Sequence, residues 1–372
     1  MSELIRGLEE KTYTLNLGPQ HPSTHGVLRV LLEMEGEFIT KAEPVIGYGH
    51  RGHEHMAENR NYAQFLPNLG RVDYLHALAY NHCYCMAVEK LLGIVPPERA
   101  EYIRVMTNEL NRISSHLVWF GAYLLDLGAF TPIMYCFDDR EQILDLLDRI
   151  TGSRLTYCYY RFGGVPTDID DEFVAGCRAF IKRLRSRWSD YDNLVTKNVI
   201  FINRARDVGL ITKDLCVKYG ITGPTLRGSG IAYDIRKSEP YSAYPEFDFE
   251  IPTGSRGDIY DRYLVRLAEM EQSLRIIEQA CDKLPNGPIM AEKVPKRVKP
   301  AAGEVYQAVE SARGEFGMYI VSQGDVNPYR IKLRTPSFAN LSVFPELVVD
   351  TLVADLVAIL GSIDVVIPEI DR

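Results

Sequence analysis

The side chains able to do chemistry gather first in one short stretch, Gly18-Pro19-Gln20-His21-Pro22-Ser23-Thr24-His25-Gly26. Two prolines and two glycines stiffen and bend the chain there while it presents two imidazoles and two hydroxyls. Imidazole changes charge near neutral pH, so such groups on a rigid connection suit proton donation or ligand orientation. A solvated turn would use the same residue types.

Three further strings carry reactive groups. His50-Arg51-Gly52-His53-Glu54-His55 holds three imidazoles, but His53 and His55 would face different sides of a helix and no cysteine stands near enough to complete a zinc set. These histidines are read as structural or interface groups. Arg51 and Glu54 are the candidates for a fixed role, because an arginine followed by glycine can bring its planar donor fork close to a backbone or cofactor. Asp126 sits among leucines, where a carboxylate needs a partner or a proton unless the helix end is solvated. The loop 220–230 resembles part of a phosphate cradle, yet it lacks both the Lys-Ser/Thr ending of a P-loop and the full dinucleotide fingerprint.

The elements that must position these groups are readable from periodicity. Residues 12–17 and 27–34 alternate as two antiparallel strands with the histidine-bearing stretch at their tip, and 37–43 continues the sheet. Residues 77–92 form a packed helix. Pro96-Pro97-Glu98 opens a long helix that ends near Gly128 and, being apolar on most sides in its second half, belongs at the centre of a bundle with His116 in its core. Helices follow over 131–150, 168–191 and 257–284; residues 315–323 and 329–334 read as a strand pair, and 345–360 as the last helix. The apolar tail after it is expected to thread into the fold or an interface.

Composition narrows the class. The 372 residues carry a net charge of -8, which argues against a nucleic-acid-binding surface spread over the whole molecule. No apolar run reaches the length needed to cross a bilayer and the N-terminus lacks the apolar core of a signal peptide, so the chain is expected to stay in the compartment where it is made. Seven cysteines without a Cys-x-x-Cys pair are expected to be reduced and mostly buried.

Taken in order, the strings GPQHPSTHGVLR, IGYGHRGHEHMAE, GRVDYLHAL, the Asp126 helix, RFGGV, GPTLRGSG, PYSAY, RGDIYDRY, GEFGMYIVSQG, YRIKLRTPSF and ILGSIDVVIPEIDR resemble the D subunit of respiratory complex I, the quinone-pocket subunit of NADH:quinone oxidoreductases. That family is itself similar to the large subunit of nickel-iron hydrogenases, whose metal pair is held by four cysteines. Here Arg71-Val72-Asp73-Tyr74-Leu75-His76 stands where the first cysteine string would fall, and no cysteine follows Cys281.

The resemblance implies an α+β fold over 1–372 like that of the hydrogenase large subunit. A central bundle of long helices would be flanked by small antiparallel sheets, with 1–43 an N-terminal β-sheet region. It implies that His25 and Tyr74 contact a quinone head group, ubiquinone or menaquinone, with Asp126 as the partner of His25. Arg51 and Arg71 would lie near a 4Fe-4S cluster on the iron-sulfur B subunit, and no metal would be held by this chain. The C subunit, other peripheral-arm subunits and a membrane-arm quinone-channel subunit would be further partners, on the cytoplasmic side of the bacterial inner membrane. Members often carry a histidine before the Gly163-Gly164 turn, where this sequence reads Arg154-Leu155-Thr156-Tyr157. A non-catalytic scaffold, or a subunit of a ferredoxin-driven or hydrogenase-like complex, is the alternative.

Overall fold

The computed structural model describes residues 12–19 and 26–372. Strands β1 (Thr12–Leu17), β2 (Arg29–Glu35) and β3 (Phe38–Val45) form an antiparallel sheet in the order β1-β2-β3. Alternation orients it: Val30, Leu32 and Met34 of β2 turn inward while Glu33 and Glu35 face out. The inner edge is tied to the end of the chain, Ile39 N–H to the Thr351 carbonyl at 3.0 Å and Asp350 N–H to the Ile39 carbonyl at 2.8 Å.

Two short helices, α1 (His53–Glu58) and α2 (Tyr62–Leu69), lead through an irregular segment to α3 (Ala77–Leu92). Helix α4 (Glu98–Asp126) then runs 29 residues, about 43 Å at 1.5 Å per residue. It starts after the proline pair and ends two residues before Gly128, as its sequence signals require. Helices α5 (Thr131–Thr151), α6 (Asp171–Tyr191) and, beyond the short α7 (Val199–Ala205), α8 (Lys213–Tyr219), α9 (Gly223–Gly228) and α10 (Ile235–Ser238), the long α11 (Ile259–Lys283) complete the bundle. Asp170 and Asp258 cap α6 and α11 by accepting the Phe173 and Asp261 amides, each at 2.8 Å.

The second sheet departs from the sequence reading. The 315–323 and 329–334 pair exists as β5 (Gly314–Ser322) and β6 (Arg330–Arg334), but a further strand, β4 (Gly303–Ser311), precedes them in the order β4-β5-β6. The β4–β5 hairpin turns at Ala312-Arg313, and both turn residues are enclosed. A hairpin tip therefore enters the core instead of facing solvent. The expected last helix is likewise divided, into α13 (Phe344–Val348) and α14 (Val353–Ile363), after α12 (Pro336–Leu341) and before α15 (Ile367–Asp371). The apolar tail is threaded into the fold as expected, with Ile367, Ile370 and Glu369 buried. Among the described residues no helix is long and apolar enough to cross a membrane.

Candidate active site

Tyr74 lies in the irregular segment between α2 and α3, and its neighbours hold it by polar contacts. Asp73 Oδ1 accepts the amides of Leu75 and His76 at 3.0 and 3.1 Å. His76 Nδ1 accepts the Ala312 amide at 2.8 Å, so Nε2 carries the proton and donates to the Asn108 carbonyl at 3.1 Å. Asn111 of α4 closes the clamp, donating to the Leu75 carbonyl at 2.9 Å and accepting the Leu78 amide at 3.2 Å.

Tyr74, on this rigid base, is 36% exposed as a residue. Burial of the rest of the ring raises its pKa above the usual tyrosine value, the Arg313 guanidinium opposes that, and the Asp73 and Asp364 carboxylates add to it. Tyr74 therefore keeps its proton at neutral pH and has an open side from which to give it.

Behind Tyr74 the core is ionic. Arg313 pairs with Asp73 at 2.8 Å and with Asp364 at 3.5 Å, and Arg266 approaches Asp364 at 4.0 Å. The buried ion pairs continue through Glu269–Arg227 at 2.6 Å and Arg227–Glu310 at 2.8 Å, with the His116 imidazole, which burial lowers below its ordinary pKa, 3.4 Å from Glu269. Beside them, Asp234, Arg236, Glu109 and Arg112 form a second enclosed run. His116 is a core histidine, as its helix position suggested. Burying this many ions is tolerable only because each charge faces opposite charge and hydrogen-bond partners.

The sequence reading did not single out Arg313, Asp364 or Glu369. The available signal was the presence of Asp364 and Glu369 inside an apolar tail, because a charge in such a run demands a partner.

Asp126 is the last residue of α4 and is half-buried. It lies fifteen residues beyond Asn111, about 22 Å along the helix that docks the Tyr74 segment. One rigid rod thus carries both positions at different heights. His25 falls outside the described residues.

Arg51 and Arg71 are both exposed. Arg71 Nη1 donates to the Pro67 carbonyl at 2.7 Å. The structure brings the two arginines to one place, because both act on His53, a buried imidazole with neither ring nitrogen hydrogen-bonded. Burial first, then Arg51, His50 and Arg71, lower that imidazole to about 4. Arg71 and Arg161 both face the half-buried Cys158 thiol, and Thr156 packs against Gly70 beside them. The result is a basic surface patch. His55 is exposed on the other side of α1, which agrees with the expectation that the two histidines diverge.

Glu54 has the fixed role expected of it. Its carboxylate accepts the Leu333 amide at 3.0 Å and faces Arg330, Lys332 and Arg372 at 3.1, 3.1 and 3.8 Å. The loop before α1 is held by the end of the chain: Gly47 and Gly49 amides donate to Asp371 Oδ1 and Oδ2 at 2.7 and 2.6 Å. His50 Nδ1 meets the Asp371 carbonyl at 2.6 Å.

The loop 220–230, with its likeness to a phosphate cradle, is filled by protein. Gly223 has φ +72°, and a Cβ there would lie 2.4 Å from the Arg313 carbonyl oxygen. Among the described residues no group of three or more His, Cys, Asp or Glu side chains is placed to hold a metal ion.

A long-helix body, two small antiparallel sheets and a buried ionic core behind Tyr74 define a large mixed helix-and-sheet protein. The family described as respiratory-chain NADH dehydrogenase, 49 Kd subunit, matches residues 126–302 and 293–372. The NADH-quinone oxidoreductase D subunit of Syntrophobacter fumaroxidans is 64% identical over 363 residues, 98% of this chain and 97% of the relative. That of Desulfotalea psychrophila is 62% identical over 372 residues, the full length of both, and that of Geobacillus thermodenitrificans is 49% identical over 365 residues, 98% and 100%. The chain belongs to the 49 kDa, or D-subunit, family of the respiratory NADH dehydrogenase, and is a core subunit of that oxidoreductase complex.

Proposed function

We propose that this protein forms one wall of a quinone-reduction site, with Tyr74 and His25 as proton donors to the quinone oxygens and Asp126 as the partner of His25. The observation that carries this reading is the Tyr74 phenol, protonated and partly open on a backing of paired ions. Reducing a quinone to a quinol takes two electrons and two protons, and the charge that develops on its carbonyl oxygens calls for donors already aimed at them. A phenol on a backbone fixed through Asp73 and the clamped Leu75 supports this reading.

The electrons would come from an iron-sulfur cluster on the partner B subunit, and the basic patch around Arg51 and Arg71 would face it. Positive charge there favours the reduced form of the cluster. The other partners in this reading are the C subunit and a membrane-arm subunit that admits quinone, the assembly standing on the cytoplasmic face of the bacterial membrane. Loss of the proton from His25 would leave the Asp126 carboxylate facing a neutral imidazole and bias the loops around it, which is how a local reaction could be coupled to proton movement in the membrane arm.

Tyr74→Phe in the assembled complex tests the reading. Cluster reduction, followed by electron paramagnetic resonance, should be unchanged while quinol formation slows on the order of 10² to 10⁴-fold, the usual worth of a positioned proton donor. Wild-type quinone turnover in this variant would remove Tyr74 from the mechanism.

A further inference from the structure

Cys177 of α6 and Cys281 of α11 are both free thiols, and their side chains are hydrogen-bonded to one another across the helix interface. The meeting follows from how the two helices lie. They run antiparallel: the Trp188 indole donates to Glu271 at 3.0 Å, while Arg178 Nη2 donates to Asp282 Oδ1 at 2.7 Å and to the Cys281 carbonyl at 3.4 Å. Both helices rise about 1.5 Å per residue, so these contacts put Cys177 and Cys281 at nearly the same height. Each also lies in its helix's buried stripe, Cys177 with Phe173, Phe180 and Leu184, and Cys281 with Leu274 and Ile277.

The two thiols are not equivalent. Cys177 is fully enclosed, whereas Cys281 keeps 8% of its surface and stands two residues before the end of α11. The Cys177 S–H and, less strongly, the Arg178 guanidinium hold the Cys281 thiol below its ordinary range, against the opposing effects of burial, Asp282 and Glu278. Cys177, which gives that hydrogen bond, is pushed up, and burial pushes up the remaining five cysteines. Thiolates, not thiols, attack electrophiles. Cys281 is therefore the cysteine placed to react first, with a second sulfur already in contact.

We propose that Cys281 and Cys177 form a peroxide-oxidisable dithiol, a modification site in which Cys281 attacks and Cys177 resolves. The Cys281 thiolate attacks one oxygen of hydrogen peroxide, the O–O bond breaks, and hydroxide leaves with the proton that Cys281 had released, as water. The Cys177 sulfur then attacks the sulfenic sulfur of Cys281. Its S–O bond breaks, and the departing oxygen takes the Cys177 proton to leave as a second water. Two thiols have lost two electrons and two protons to one peroxide, and a disulfide ties α6 to α11. A dithiol reductant reverses the bond. Resolution by Cys177 also spares Cys281 the irreversible step to sulfinic acid.

Peptide mapping of the assembled complex after brief treatment with hydrogen peroxide tests this. Trypsin places Cys177 in the peptide 162–178 and Cys281 in 276–283. In the wild type these should appear joined, lighter by two hydrogens than the separate peptides, and dithiothreitol should part them. In Cys177→Ser the reaction should stop at a sulfenic acid on Cys281 that dimedone traps, and Cys281→Ser should yield neither product. The wild-type map needs no variant, so it decides the matter even if a variant fails to assemble. Peroxide-treated wild type with both peptides separate and both thiols intact overturns the site. Cys281 converted to sulfinic acid with no joined peptide overturns the resolving role of Cys177. Dimedone found on Cys177 in Cys281→Ser overturns the order of attack.

Discussion

Asp73 Oδ2 and Arg313 Nη1 meet at 2.8 Å, both enclosed, across 240 residues of chain. This pair joins the segment that carries Tyr74 to a hairpin tip from the far end of the molecule. Removing one partner leaves the other charge buried and unpaired. Arg313→Met should cost about 3–5 kcal/mol and appear as a lower melting temperature or failed incorporation into the complex. Arg313→Lys should recover only part of the loss, because a single ammonium cannot span Asp73 and Asp364 as the guanidinium does. Normal assembly of Arg313→Met would mean the pair is dispensable.

Gly223 sets where that hairpin tip can lie. At φ +72°, with an added Cβ only 2.4 Å from the Arg313 oxygen and 2.5 Å from Gly314 Cα, Gly223→Ala forces two backbones apart. The expected loss is on the order of 3 kcal/mol. Thermal unfolding of the purified complex measures it, and an unchanged midpoint would show that the turn can yield.

Asp371 anchors the loop that leads into Arg51. In Asp371→Ala the Gly47 and Gly49 amides lose their acceptors, and their hydrogen exchange should quicken roughly tenfold or more while that of α4 stays slow. Unchanged protection at both glycines would place the control of this loop elsewhere.

His53 makes a prediction with a defined sign. Its imidazole is lowered from 6.5 to about 4, so between these values the unfolded chain binds more protons than the folded one. Stability from this group is complete above about pH 6.5 and is lost as pH falls toward 4. His53→Leu should flatten the acid side of the stability profile in that window and leave neutral pH little changed. An equally steep acid limb in the variant would show that other groups set it.

Much of this architecture is legible in the residue order. The Pro96-Pro97 start and the Gly128 stop of α4 fall within a residue or two of where they are found, because caps and breakers act on the chain beside them. The strand β4 is not legible in the same way. Its second half, Gln307 to Ser311, is buried on both faces and includes Gln307, Glu310 and Ser311, so it shows neither alternation nor an apolar run. With β4 unread, the Ala312-Arg313 turn was invisible, and with it the arginine behind Tyr74.

By itself the order of residues determined the long helices α3 to α6 and α11 and their limits to within a few residues, the N-terminal sheet, and the motifs that mark the family. These depend on neighbours a few positions apart. Only the tertiary structure decided which charges share the core, that a hairpin tip would point inward, and that Glu369 would be left without a cation. The energy of a buried ion depends on distances of a few ångströms to groups hundreds of residues away, which local sequence does not encode.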